Sequence, residues 1–113
     1  MKEELQDLID LLHERKCSCV LRNGEIYTFE RRGVEDLYDL LREQPGLLLG
    51  ADVADKVVGK GAAALMVLGR VRRVYADVLS EPAYGLLFQT GISVSYGRLV
   101  SAIRNRAGNG WCP

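Results

Sequence analysis

The chain predicts an α/β sandwich whose mixed sheet begins with an antiparallel hairpin. Three observations carry that reading: a stripe of leucines at helical spacing near the start, an Asn-Gly pair between two short β-prone runs, and then apolar strands alternating with helices. Residues 2–15 set Leu5, Leu8, Ile9 and Leu12 on one stripe with Lys2, Glu3, Asp7, Asp10 and Glu14 elsewhere, which predicts an amphipathic helix. Residues 17–21 alternate, Asn23-Gly24 suits a two-residue hairpin turn, and Ile26, Tyr27, Thr28 and Phe29 continue as a second strand.

After Arg31-Arg32-Gly33, the spacing of Val34, Leu37, Leu40 and Leu41 predicts a helix over 34–42, stopped by Pro45-Gly46. The unbroken apolar run 47–53 suits a strand buried on both faces. A helix over 57–68 follows, rich in Gly59, Gly61, Ala62, Ala63 and Ala64, whose small side chains allow close approach to a sheet, and Gly69 ends it. Residues 74–79 form the next apolar strand. Ser80 then caps a helix with its body at 84–89, Gly91 terminates that helix in a left-handed conformation, and residues 92–95 make the last strand. One short helix over 99–104 and the Gly-rich tail 105–113 complete the chain.

At 113 residues the length suits one domain, 1–113. Fifteen Lys and Arg balance fifteen Asp and Glu, so no excess positive field is present to hold a nucleic-acid backbone. Zero net charge also leaves little self-repulsion and mildly favours a homo-oligomer. Cys17, Cys19 and Cys112 cannot all pair within one chain, and no secretory leader pattern opens the sequence, so reduced thiols and a cytoplasmic location are expected. Apolar runs stop short of the roughly 18 to 20 residues of a membrane span.

The junction Asp77-Val78-Leu79-Ser80-Glu81-Pro82-Ala83-Tyr84-Gly85-Leu86 runs a β-branched strand into Glu-Pro at the start of an apolar helix. It resembles the zinc-binding junction of the cytidine deaminase family, Glu-Pro-Cys-x-x-Cys, with Ala83 and Leu86 in place of the two thiolates. Neither side chain can ligate a metal, so zinc-activated attack on a nucleobase is excluded by the usual route. More specifically, ADVADKVVGKGAAALMVLG, VYADVLSEPA and NRAGNGWCP resemble the DUF1893 family of uncharacterised prokaryotic proteins. That resemblance implies a three-layer α-β-α, cytidine deaminase-like architecture without the metal site, and no established activity. Overlaid on the deaminase His-x-Glu, the segment 53–57 sets Asp55 in the ligand position and Val57 in that of the proton-shuttling Glu. No metal and no cofactor are therefore expected.

If that architecture holds, two helix N-termini face one another, Asp55, Lys56 and Lys60 at the first and Ser80 and Glu81 at the second. Helix N-termini favour anions, and two lysines four apart strengthen the preference. Asn105, Arg106 and Cys112 of the tail can fold back over the same place. The expected function is binding of a small anionic ligand, nucleotide-like or phosphorylated, by a pseudoenzyme. Each feature also has a plain structural explanation: Lys56 and Lys60 as a solvated helix edge, Ser80 as an N-cap only, and Gly59-Lys60-Gly61 as packing, since the phosphate-loop spacing is absent.

Two other classes remain open. One is a metal-independent enzyme using Asp55, Glu81 or Cys112 with Lys56; the other is a purely structural, oligomer-forming protein. Cys17 and Cys19, two apart on a strand, share a face and read as buried thiols, while His13 reads as a surface residue. Asp77 can join Asp52, Asp55 and Glu81 for acid–base work, or be satisfied by Lys56 or Arg106.

Overall fold

A computed structural model describes residues 5–15, 17–30 and 34–103. Helix α1 (Leu5–Glu14) is followed by the hairpin β1 (Cys19–Asn23) and β2 (Glu25–Phe29), then by α2 (Glu35–Glu43) and the short α3 (Pro45–Leu48). The second half alternates strictly: β3 (Asp52–Val58), α4 (Lys60–Gly69), β4 (Arg73–Ser80), α5 (Glu81–Gln89) and β5 (Ser93–Val100). The five strands lie in the order β2-β1-β3-β4-β5. β1 is antiparallel to both β2 and β3, and β3, β4 and β5 are parallel.

Two cores flank the sheet, which makes three layers. The larger joins Leu21, Val53, Val74 and Ala76 of the sheet to Leu37, Ala62, Ala63, Met66, Ala83 and Leu87 of α2, α4 and α5. The smaller joins Leu8 and Leu12 of α1 to Val20 and Ala54. The leucine stripe is thus the docking face of α1. α5 begins where Ser80 accepts the Ala83 amide at 3.2 Å, and Gly91 follows it at φ +81°.

Several boundaries differ from the sequence expectation. The hairpin pairs Asn23 with Glu25 around Gly24 alone, which has φ +80°. Asn23 stays out of the left-handed region because its side-chain amide faces the carbonyls of Gly46, Leu47 and Leu49 at 3.1, 3.0 and 3.1 Å. The same contacts help to hold 45–48 as helix. The run 47–53 is therefore not a strand: Pro45 starts a helix instead of only stopping one, and β3 begins at Asp52. In consequence Asp55, Lys56 and Val57 are strand residues, and α4 starts at Lys60.

Gly69 lies inside α4, and Arg70 takes the left-handed position at φ 62°. Gly69 answers to packing, since a Cβ there would sit 2.7 Å from Leu48 Cδ1. Cys17 precedes β1 and packs in the smaller core, whereas Cys19 packs in the larger, so the two thiols face opposite sides of the sheet. β5 runs to Val100 and residues 101–103 are not helical, so a helix starting at Leu99 is ruled out. Residue 104 and the tail 105–113 lie outside the described residues.

β3 is anchored by Asp52, whose carboxylate is 2% exposed and is met by three guanidinium groups. Arg72 and Arg73 each bond both oxygens, at 3.2 and 3.0 Å and at 2.9 and 2.7 Å, and the buried Arg22 of β1 adds a bond at 3.1 Å. Burial by itself raises a carboxyl pKa; the hydrogen bonds from Arg73, Arg72 and Arg22 outweigh it and hold Asp52 well below the usual carboxylate range. Asp52→Asn leaves Arg22 buried beside a neutral amide and is expected to cost about 3 kcal/mol or more, measured as a fall in the urea midpoint at unchanged m-value. A loss under about 1 kcal/mol would mean that water replaces the carboxylate at little cost.

Candidate functional site

Because β3 and β4 are parallel neighbours with Val58 paired to Leu79, the helices that follow them start side by side at one edge of the sheet. The two N-termini differ. α5 is closed by its own Ser80 hydroxyl, and Ser80 is 2% exposed. α4 is preceded by Gly59 in extended conformation with no side-chain cap. Its first-turn amides precede the first intrahelical bond, Ala63 N–H to Gly59 O at 3.0 Å, and so require a partner from outside the helix. Lys60 and Glu81, the first residues of the two helices, are both exposed.

Asp55 lies four residues before Gly59, on β3, paired in register with Cys19. Its Oδ1 accepts the Val57 amide at 3.4 Å. Burial pushes its pKa up to about 7, the nearby charge of Asp77 adds to the rise, and bonds from the Val57 and Lys56 amides and from Cys19 oppose it. Cys19 is pushed upward first by burial and then by the Asp55 charge. At neutral pH Asp55 is thus poised between its two protonation states, beside a thiol that stays protonated.

Lys60, Ser80 and Glu81 accordingly share one end of the sheet, while Asp55 lies at the middle of β3, paired with Ala76 of β4. Lys56 is an exposed strand residue of β3, four residues before α4 begins. Asp52 is excluded from any carboxylate pair, being held by arginines at the far end of β3. Asn105, Arg106 and Cys112 lie outside the described residues.

Asp77 meets Tyr75 and His13: Tyr75 donates to its Oδ1 at 2.7 Å and His13 Nε2 meets the same oxygen at 2.7 Å, while Arg106, an expected partner, lies outside the described residues. Tyr75 and Asp77 share the α1 face, as alternation requires, while Leu79 at the strand end packs in the larger core. Burial first, then the Asp77 hydrogen bond and charge, pushes the Tyr75 hydroxyl up to about 12. His13 is a surface residue that also straps α1 to β4. No sequence signal marks this contact or the Cys19–Asp55 pairing, since each depends on register between elements distant in the chain.

The donor set for zinc is missing where a deaminase would carry it. Ala83 is fully buried in the core, Leu86 packs against that core, and the α4 N-terminus reads Gly59-Lys60-Gly61. The overlay that set Asp55 and Val57 at a helix start is corrected, because both lie in β3, and the residues that do start α4 supply no His, Cys or Glu. Among the described residues no three His, Cys, Asp or Glu side chains cluster as metal ligands. The residues do not fit a zinc ion.

The family model for a domain of unknown function, DUF1893, matches residues 7–113. The chain belongs to the DUF1893 family. A crystal structure of a DUF1893 family protein from Thermotoga maritima is similar over 100% of this chain and 78% of its own, with a TM-score of 0.85 and 25% identity. RibD of Acinetobacter baumannii is similar over 82% of this chain but only 34% of its own, at a TM-score of 0.54 and 16% identity, which shows a shared deaminase-like fold and nothing further. No curated protein matches the chain. Among the described residues no helix of this DUF1893 protein is long and apolar enough to cross a membrane.

Burial holds the Asp55 carboxyl at about 7 in the fold, against about 3.9 in the unfolded chain. Between those values the folded state keeps a proton that the unfolded chain has released, so this group makes stability fall as pH rises, by at most about 1.4 kcal/mol per unit. The contribution of Asp52, whose pKa is depressed, is complete above its unfolded value and stays flat over the same window. Asp55→Asn should therefore gain stability relative to the parent between about pH 4.5 and 7, read from urea midpoints at each pH. Parallel profiles would show that Asp55 ionises as freely in the fold as outside it.

Proposed function

We propose that this protein binds a small anionic ligand, nucleotide-derived or otherwise phosphorylated, where α4 and α5 begin, and that it does so as a pseudoenzyme without zinc deaminase chemistry. The single observation behind this reading is the α4 N-terminus, a ten-residue helix opened by Gly59 with no side-chain cap. Its first-turn amides and dipole attract an anion, and Lys60 adds a cation beside them. α5 has already satisfied its Ala83 amide through Ser80, so Ser80 acts there as a positioning residue for the neighbouring wall. Protonated Asp55 would not repel an anion, whereas ionised Asp55 would, so binding should weaken as pH rises through the range near 7.

A second reading rests on the same Asp55. A carboxyl poised near neutrality is matched to acid–base work, which keeps a metal-independent reaction in view for a bound substrate. Lys56 takes no part in either reading, because it lies on β3, four residues before α4 begins. Glu81, exposed at the start of α5, is the second group available for proton transfer.

Thermal unfolding with inorganic phosphate, nucleoside monophosphates and the corresponding unphosphorylated nucleosides tests the binding reading. A saturable rise with the phosphorylated compounds only is expected, equivalent to about 2.7 kcal/mol at a hundredfold excess over Kd. Lys60→Ala should reduce it and Lys56→Ala should leave it intact. A panel without a shift, or a shift indifferent to Lys60→Ala, contradicts the reading.

A further inference from the structure

α4 is apolar on every side. After Lys60 it reads Gly-Ala-Ala-Ala-Leu-Met-Val-Leu-Gly, a composition that belongs to a helix buried all round. The sheet lies beneath it and α2 and α5 lie beside it, but its outer side is open, with Leu68 66% exposed. α5 repeats the pattern. After Glu81 it carries no charge, and Phe88, stacked on Tyr84 at 5.8 Å, is 65% exposed.

The strands that lead into the two helices fix their relative level. Val58 pairs with Leu79, and each helix begins two residues later, at Lys60 and at Glu81. Running side by side on one face of the sheet, α4 and α5 therefore set Lys60 level with Glu81, Ala64 with Gly85, and Leu68 with the Phe88-Gln89 turn. Lys60, Ala64 and Leu68 follow one side of α4, and Glu81, Gly85 and Phe88 follow one side of α5. Each line has a charged end, a small middle and a large apolar end, and the two charges are opposite. Lys60 and Glu81 are both exposed and form no ion pair among the described residues.

We propose that this face pairs with the same face of a second copy, about a two-fold axis parallel to the helices, so that α4 of each copy lies on α5 of the other. That operation keeps every level. Lys60 meets the partner's Glu81, Ala64 the partner's Gly85 and Leu68 the partner's Phe88, each of them twice. A glycine inside a helix costs stability, and Gly85 is not required by its own chain, since a Cβ there would meet no atom within 4 Å. Opposite the partner's Ala64 it lets the two helices approach closely. An axis across the helices would instead lay α4 antiparallel on the partner's α4 and set Lys60 against the partner's Arg70, opposing like charges in both halves. The occupant is a second copy because α4 and α5 offer one another opposite charge, matched small residues and matched apolar bulk at a single level.

Helices about 15 Å long place the contact at the small end of specific interfaces, so the dimer should be concentration-dependent. Sedimentation of the full chain, from micromolar to submillimolar, should show monomer and dimer in exchange. Leu68→Glu puts a charge into the contact from an exposed position, and should weaken dimerisation by roughly tenfold or more with the circular dichroism spectrum unchanged. Glu81→Lys opposes the partner's Lys60 and should weaken it too, whereas Glu81→Lys combined with Lys60→Glu should restore the parent value to within about threefold. A monomer at every concentration, which would leave the face to some other chain, overturns the proposal. So does a dimer indifferent to Leu68→Glu, or a charge exchange that fails to restore association. None of these readouts involves a ligand, so they stand or fall apart from the binding reading.

Discussion

The rest of the molecule depends on the grip of three arginines on the Asp52 carboxylate. A buried carboxylate is tolerable only when it is surrounded by donors, and the donors come from β1, from the turn before β4 and from β4 itself. The cluster therefore pins three strands at one end of the sheet and forces β3 to start at residue 52. With that start, Asp55 falls inside the strand beside Cys19, Val57 and Val58 finish it, and α4 cannot begin before Gly59. The position of every group at the candidate site follows from that phase.

Local chemistry made much of the fold legible. The stripe of Leu5, Leu8 and Leu12, the glycine of the hairpin turn, and Ser80 followed by Pro82 each encode a structure that needs no distant partner, and each forms as expected. The run 47–53 misleads because an unbroken apolar segment carries no period, and the outcome is set by Asn23 reaching the carbonyls of 46, 47 and 49. β5 was legible only to Ser95, since Gly97 and Arg98 weaken the alternation and only the ladder to β4 extends the strand. Ser80 and Glu81 open α5 as the sequence suggests, and Lys60 opens α4. Asp55 and Lys56 lie within β3 and not at the helix start, because the strand begins at Asp52 and runs to Val58.

The frame is deaminase-like in fold, and the residues at its helix starts are not those of a zinc site. Two parallel strands still deliver two helix N-termini to one edge, the arrangement that elsewhere on this fold would carry metal ligands. Here the α5 position for a donor is an alanine at zero exposure, used for core packing, and the α4 position is a glycine-flanked lysine. At that end lie one self-capped helix and one glycine-capped helix, with a carboxyl pushed up to about 7 by burial further back on β3. The proposed recognition of negative charge relies on these helix starts, and none of the groups there is a zinc donor.

The central claim is that the residues where α4 and α5 begin do not form a zinc site. Elemental analysis of the purified full chain, after incubation with excess zinc and removal of loosely bound ion, tests it most directly. The account predicts far less than one zinc per chain. One zinc per chain, retained through dialysis, would contradict it.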